Sequence, residues 1–584
     1  MKPRIGIRAT IDGRRLGIRE SLEETCEKMA KAAAEIIEKN CFYSDGTPAE
    51  CVIYPGTIGG NGEARECVEY FSDKNVTATL TVTPCWCYGL ETMDTDPKTI
   101  KAVWGFNGTE RPGAVYLAAV MAAHAQLGLP AFAIYGEEVQ EPNFTAVTDD
   151  VKNKIITFAQ CALAAGQMKG NAYVGIGGVS MGIAGSIQPD DFFRKYLGMR
   201  SEHLDMSEVQ RRLKKNIFDQ EEYKKALEFA DKFKLGFNKN EKPLGKKEER
   251  EAFETSVKMA LIFRDIVCGN EKLREMGYGE EASGRGGVMG GFQGQRQWTD
   301  FMPNGDFAEG ILNSGFDWNG KREPLTFATE NDALNGVSMH LGRLITGGAA
   351  VFADVRTYWS SESVKKATGI TPTGKASNGF IHLINSGAAA LDGCGESKDE
   401  KGNPVIKKWW ELNEKDIKSC IDACELSPAD LLYFRGGGYS TRFTTRQEMP
   451  VTLIRVNMVE GVGPMLQIAE GYTLALPEEM SDKIWKRTDY TWPSTYFAPN
   501  LTGKGAFTSV YKVMSAWGAN HGAFVYGHVG AKLITLASML RIPVPMHNVA
   551  EEDIFRPHSW NAFGTNDLEG ADMRACAAYG PLYK

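Results

Sequence analysis

The chain is short of histidine and of long apolar runs, and both shortages limit what it can be. Only eight histidines occur among 584 residues, too few for a centre built on several imidazoles. The longest apolar run, Ala114 to Ala123, stops at His124 and Gln126, well short of the roughly 20 residues that cross a bilayer. No membrane association is expected. Residues 1–8 hold no apolar core of signal-peptide length, so nothing there directs export. The twelve cysteines are scattered rather than grouped in the compact framework of a small secreted domain, and a reducing, cytoplasmic setting is expected. Cys85-Trp-Cys87 has the wrong spacing for a zinc knuckle or a Cys-x-x-Cys redox pair. Cys420 and Cys424 fall in a helical pattern with no second pair nearby, so both sets read as structural. Excess positive charge is also missing: the net charge of -8 argues against a binder of phosphate backbones, so no nucleic-acid partner is expected. A small neutral substrate fits better.

What is present is a large soluble-type composition, 43% hydrophobic and 24% charged, with length for three or four domains at roughly 150 residues each. Strand and helix alternate from the start. Arg4–Arg8 reads as a strand, Glu20–Glu38 as an amphipathic helix, Val76–Val82 as a strand, Ala114–Ala125 as a helix and Ala131–Tyr135 as a strand, an α/β pattern. A first domain over residues 1–170 is followed by a second over 171–350, which opens on the strand at Ala172. The glycines that follow it, Gly175, Gly177, Gly178, Gly182 and Gly185, suggest a dinucleotide loop, but Ser180 stands where G-x-G-x-x-G requires its third glycine. A tight turn with close backbone packing is preferred. Residues 199–265 carry balanced charge runs typical of solvated helix faces. Residues 351–584 form a third, β-rich part, with strands at Val451–Val456 and Pro464–Ile468.

The densest chemical signal lies between Glu330 and Asp354. Each closes a short apolar run, Leu325–Thr329 and Ala349–Ala353, and Leu334, Val337, Leu341, Leu344 and Ile345 between them follow helical spacing. Strand, helix, strand predicts a parallel crossover that brings both carboxylates to the same edge of one sheet, close enough to share an ion. The alternative is two ordinary loop or cap acids, and Asn331-Asp332 suits a helix N-terminus. Among the histidines, His521 is expected in a turn between a helix, Val510–Trp517, and a strand, where it can reach a shared site. His528 reads as a packing or capping residue. Two carboxylates and one imidazole suit Mn²⁺ or Mg²⁺ and leave positions open for substrate oxygens.

Several longer stretches carry a resemblance: Ile11-Asp-Gly-Arg-Arg15, Thr83-Pro-Cys-Trp86-Cys-Tyr-Gly89, Trp104-Gly-Phe-Asn-Gly-Thr-Glu-Arg-Pro112, Gly177-Gly-Val-Ser-Met181-Gly-Ile-Ala-Gly-Ser186, Gly291-Phe-Gln-Gly-Gln-Arg296, Thr329-Glu-Asn-Asp332, Val351 to Trp359, Trp517-Gly-Ala-Asn-His-Gly522 and Tyr579-Gly-Pro-Leu-Tyr583. Over its whole length the chain resembles the L-fucose isomerase family. The resemblance implies two Rossmann-like α/β domains followed by a C-terminal domain with a β-barrel core, assembled as a homohexamer. It implies a ketol isomerase acting on a small sugar, L-fucose to L-fuculose and also D-arabinose to D-ribulose. Glu330, Asp354 and His521 correspond to the manganese ligands, with Glu330 and Asp354 also the acid/base pair. Substrate contacts are implied for Arg14, Met181, Gln293, Ser386, Tyr439, Trp492 and Asn520, and Trp86 is implied to close the site of a neighbouring subunit. The chemistry agrees with the residue types. Moving a carbonyl from C1 to C2 removes a proton beside a carbonyl, and two carboxylates can divide that work through a cis-enediol while a divalent ion stabilises the developing charge. A metal-dependent sugar-binding protein without catalysis and a metallohydrolase are the competing readings.

Overall fold

A computed structural model describes residues 2–141, 146–384 and 389–583. Five strands, β1 (Arg4–Ala9), β2 (Cys51–Ile53), β3 (Val76–Thr83), β4 (Ile100–Gly105) and β5 (Ala131–Tyr135), make an all-parallel sheet in the order β2-β1-β3-β4-β5. β3 and β4 are buried along nearly their whole length, as parallel strands are when helices cover both faces. Helix α1 (Glu23–Asn40) shows why such segments pack: Cys26, Met29, Ala30, Ala33, Ala34 and Ile37 recur at three- and four-residue spacing and form its buried stripe.

A second parallel sheet contains β6 (Ala172–Ile176), β7 (Arg200–Leu204), β8 (Gly287–Phe292) and β9 (Thr326–Ala328) in the order β9-β8-β6-β7. The glycine-rich segment after β6 is a tight turn. Gly177 has φ of 92°, and a Cβ there would lie 2.7 Å from the Gln293 side chain, so the glycine serves backbone conformation and close approach.

The third unit is a closed antiparallel barrel of β10 (Ala350–Trp359), β11 (Phe380–Ile384), β12 (Pro450–Val459), β13 (Gly463–Thr473), β14 (Ser494–Pro499) and β15 (His521–Tyr526), ordered β10-β11-β14-β13-β12-β15 and closed by β10 against β15. Closure removes the exposed edges that an open sheet would leave.

The barrel corrects one expectation. Glu330 and Asp354 do not end neighbouring parallel strands: β9 belongs to the second sheet, whereas β10 opens the barrel and runs antiparallel to both its neighbours. The cause lies in the connecting helix α2 (Ala333–Thr346), which is buried on almost every side. Its packing serves two layers at once, β8 and β9 on one side and β12 and β15 on the other. Helical spacing between two apolar runs therefore identified the elements but not the sheet that the second strand would join. A second correction concerns His521, which opens strand β15 instead of sitting in a turn.

No described helix is long and apolar enough to cross a membrane. Cys85, Cys87, Cys420 and Cys424 are buried and form no disulfide, in keeping with structural roles. His528 hydrogen-bonds the Gly471 carbonyl at 2.9 Å, a packing contact.

The two-layer role of α2 depends on close approach to the barrel. A Cβ at Gly342 would lie 2.7 Å from Val525 Cγ1 and 3.0 Å from Ile454 Cδ1. Gly342→Val is therefore expected to destabilise by about 1–3 kcal/mol through overpacking, seen as a drop of several degrees in Tm. An unchanged thermal midpoint would contradict this packing.

Candidate active site

Three loops at the carboxyl ends of β6, β8 and β9 supply one wall of an open cavity of about 890 Å³, with Met181, Gln295 and Glu330, and the rim of the barrel supplies the other, with Asp354, Arg356, Trp492, Asn520 and His521. The carboxyl edge of a parallel sheet is where open α/β folds gather ligands, and here a barrel mouth faces that edge.

Asp354 and His521 meet because of register. They are direct cross-strand partners of the β10–β15 pair, so their side chains leave the same face a few ångströms apart. His521 Nε2 lies 3.3 Å from Asp354 Oδ1 and 3.5 Å from Glu330 Oε2. Glu330 arrives from the other unit on a short turn, Thr329–Asn331, in which Glu330 and Asn331 both adopt left-handed backbone, φ 56° and 50°. Gln295 Nε2 donates to Glu330 Oε1 at 2.9 Å. Asp332, the N-cap of α2, accepts from the Asn335 amide and also lies 2.7 Å from His521 Nδ1 through Oδ2. A carboxylate has no hydrogen to give, so Nδ1 carries the hydrogen and Nε2 is the nitrogen turned toward Glu330 and Asp354.

Charge crowding shapes the titration of these groups. Burial pushes the Glu330 carboxyl up to about 7; His521 opposes that shift, and Asp354 and Asp332 add to it. Burial alone would lower His521, but the hydrogen bonds and charges of Asp332 and Asp354 carry it up to about 10. Asp332 moves the other way: against its burial, Arg455 and His521 hold it well below the usual carboxylate range.

Do these residues fit a divalent cation? Among the described residues, no group of three or more His, Cys, Asp or Glu is arranged so that it could hold a metal ion as it stands. The donor types, however, are those of an open set. Asp354 Oδ1 is buried with His521 Nε2 3.3 Å away, which leaves the oxygen a further lone pair that a cation could take. Ligand bonds of about 2.1 Å at right angles place adjacent donor atoms about 3.0 Å apart, and the two Nε2–oxygen separations of 3.3 and 3.5 Å stand close to that spacing. Oxygen-rich donors with one imidazole suit a hard ion.

The remaining expected residues divide. Met181, Trp492 and Asn520 line the cavity with the trio, and Asn520 Nδ2 lies 3.0 Å from His521 Nε2. Gln293 does not line it; its Oε1 folds back to accept from the Gly178 amide at 2.8 Å, and Gln295, two residues on in the same Gly291–Arg296 motif, points in. Tyr439 is not at the cavity either: it is buried on a short strand with its ring 5.1 Å from that of Phe253. The aromatic hydroxyl lining the site is Tyr433, six residues earlier. Arg14 and Trp86 sit in loops after β1 and β3 and do not line this cavity. The Arg14 side chain is 55% exposed and ion-paired to Asp12, and Trp86 is 37% exposed. Ser386 lies outside the described residues. Asp332 was legible as a helix cap and Arg356 only as a member of the motif Val351 to Trp359, with no role at the site; Arg356 Nη1 reaches Asp354 Oδ2 at 3.2 Å and its guanidinium lies 5.6 Å from the Trp492 ring centre.

Comparison with known proteins covers both halves of this cavity. Family models described as L-fucose isomerase match three successive segments: the first N-terminal domain at residues 2–170, the second N-terminal domain at 171–347 and the C-terminal domain at 383–547. L-fucose isomerases of Streptococcus pneumoniae, strains P1031 and D39, are each 57% identical over 585 aligned residues, spanning 100% of this chain and 99% of the relative. Similarity of that extent leaves neither the α/β sheets nor the barrel outside the match, and the chain belongs to the L-fucose isomerase family.

Proposed function

We propose that the chain is an aldose–ketose isomerase that interconverts L-fucose and L-fuculose, and D-arabinose and D-ribulose, with Glu330, Asp354 and His521 holding Mn²⁺. The observation that carries the reading is the convergence of those three side chains, from an α/β sheet edge and a barrel mouth, on one cavity of a chain that matches the isomerase family from end to end. When bound there, Mn²⁺ supplies Lewis-acid charge that makes the hydrogen beside the sugar carbonyl more acidic.

The chain's own groups do the rest. Glu330, at the cavity wall, is placed both to take a proton and to return it. Gln295 fixes which way its carboxyl faces. Asp354 provides the second carboxylate, so that removal at one carbon and delivery at the next pass through a cis-enediol. Trp492 offers a flat apolar wall for the C–H face of a sugar and the methyl group of a 6-deoxy one. Asn520 and Tyr433 supply hydrogen-bonding groups for hydroxyls, and Ser386 joins them by family resemblance. Arg14 and Trp86 project outward from the first sheet, a placement that suits closure of a neighbouring subunit's cavity in a homohexamer. We read the two parallel sheets as Rossmann-like units, the domains as 1–170, 171–350 and 351–584, and the compartment as the cytoplasm.

Chelation is expected to abolish ketose formation from L-fucose and added Mn²⁺ to restore it; full activity in metal-stripped protein would refute the metal assignment. Isomerisation in D₂O is expected to place deuterium at C1 of the ketose or C2 of the aldose. Glu330→Gln and Asp354→Asn should each lose about 10²-fold or more in rate, with metal content measured alongside. Complete retention of the substrate hydrogen by NMR, together with near-normal rates in metal-loaded carboxamide variants, would leave the two acids as ligands only. Trp86→Ala is expected to raise KM while metal content stays unchanged, and a fully active monomer in analytical ultracentrifugation would exclude the shared site.

A further inference from the structure

Behind His521 runs a chain of buried and half-buried polar side chains that the reaction itself does not use. Asp332 and Arg455 are almost wholly buried and joined at 2.8 Å through Oδ2 and Nη1. Arg455 Nε donates to Asn457 Oδ1 at 3.0 Å, and Asn457 Nδ2 to Gln467 Oε1 at 2.5 Å. Gln467 Nε2 then donates at 3.1 Å to the carbonyl of Ala516, five residues before His521. The path closes on itself: His521, Asp332, Arg455, Asn457, Gln467, and back along the backbone from Ala516. Arg455 and Gln467 are direct partners in the β12–β13 hairpin, so the barrel wall fixes this side of the ring.

The glycine-rich segment after β6 makes room for it. A Cβ at Gly185 would strike Asp332 Oδ1 and lie 2.7 Å from Arg455 Nη2. That gives Gly185 a task unrelated to nucleotide binding.

We propose that Asp332 is a positioning residue for the metal site: it fixes the tautomer and ring orientation of His521, and the ring through Arg455, Asn457 and Gln467 holds Asp332 in place. Metal-bound histidines commonly donate their second ring hydrogen to a carboxylate, and losing that partner typically lowers metal affinity about 10- to 100-fold. The inference rests on the metal reading above. Its competitor is that Asp332 only caps α2. Asparagine caps a helix as well as aspartate does, so Asp332→Asn keeps the cap and removes the carboxylate.

The test is titration of metal-free protein with Mn²⁺, with free ion followed by electron paramagnetic resonance, in wild type, Asp332→Asn, His521→Ala and the double variant. Asp332→Asn is expected to weaken Mn²⁺ binding about 10- to 100-fold and to have no further effect once His521 is alanine. Affinity within about twofold of wild type, or an equal loss in the His521→Ala background, overturns the proposal. Should Asp332→Asn fail to fold, Asn457→Ala decides. It loosens the ring from a half-buried position, and a loss of about threefold or more supports the positioning role, whereas unchanged affinity overturns it. Wild-type protein that binds no Mn²⁺ removes the metal reading itself, and this inference with it; wild-type binding with unaffected variants removes this inference alone.

Discussion

The antiparallel register that sets Asp354 opposite His521 is the constraint on which the site depends. Side chains alternate across a strand with period two, so a slip of one residue between β10 and β15 would send one of them to the opposite face of the barrel wall. Barrel closure prevents the slip: β15 is paired on both edges, to β10 and to β12, and a register change at one seam has to propagate around all six strands. The backbone contact from the Val355 amide to the Asn520 carbonyl, 2.8 Å, carries the same alignment one step past the end of β15 and brings Asn520 to the cavity.

Glu330 reaches that pair from another layer, and it does so in a backbone conformation that residues with a Cβ seldom adopt. Each left-handed residue of this kind costs on the order of 1–3 kcal/mol. The turn persists because its surroundings over-determine it. Tyr173 donates to Asn331 Oδ1 at 2.9 Å, Thr329 donates to Glu309 Oε2 at 2.8 Å, and Asp332 starts α2 immediately afterwards. Helix α2 then has to lie between sheet and barrel, and Gly342 lets it approach Val525 closely enough to do so. Strain at Glu330 and close packing at Gly342 are thus two ends of one arrangement, which keeps an α/β edge and a barrel mouth facing each other.

Much of this was legible before any coordinates. Alternating strands and helices in the first third and the β-rich last third follow from periodicity, and Glu330, Asp354 and His521 stand out as candidates by residue type and by a family resemblance carried by long motifs. What misled was connectivity. The run from Leu325 to Ala353 has the local pattern of a crossover, and local pattern contains no information on whether the second strand rejoins the first strand's sheet; the burial of α2 on opposite sides decides that, through contacts with strands more than a hundred residues away. The substrate-contact residues show a similar limit. Gln293 and Gln295 share a glycine-rich motif, and only the fold reveals which amide turns inward. Tyr433 and Tyr439 flank Arg435-Gly436-Gly437-Gly438, whose turn takes the later tyrosine into the core beside Phe253. Asp332 was visible as a cap, but its second partner, His521, lies 189 residues away.

The balance of charge explains why so many acids tolerate one another here. Glu330, Asp332 and Asp354 surround a single imidazole, and desolvated carboxylates this close repel strongly. Asp332 is relieved by Arg455 and Asp354 by Arg356. Glu330 is met by the neutral Gln295 and, at 3.5 Å, by His521, and burial pushes its carboxyl up to about 7. The excess of negative charge is therefore not spread evenly. It falls on Glu330 and on Asp354 Oδ1, the two groups that face the cavity beside His521 Nε2. A divalent cation settling there, as the proposed function has it, would bring positive charge to two carboxylates that otherwise share a single imidazole.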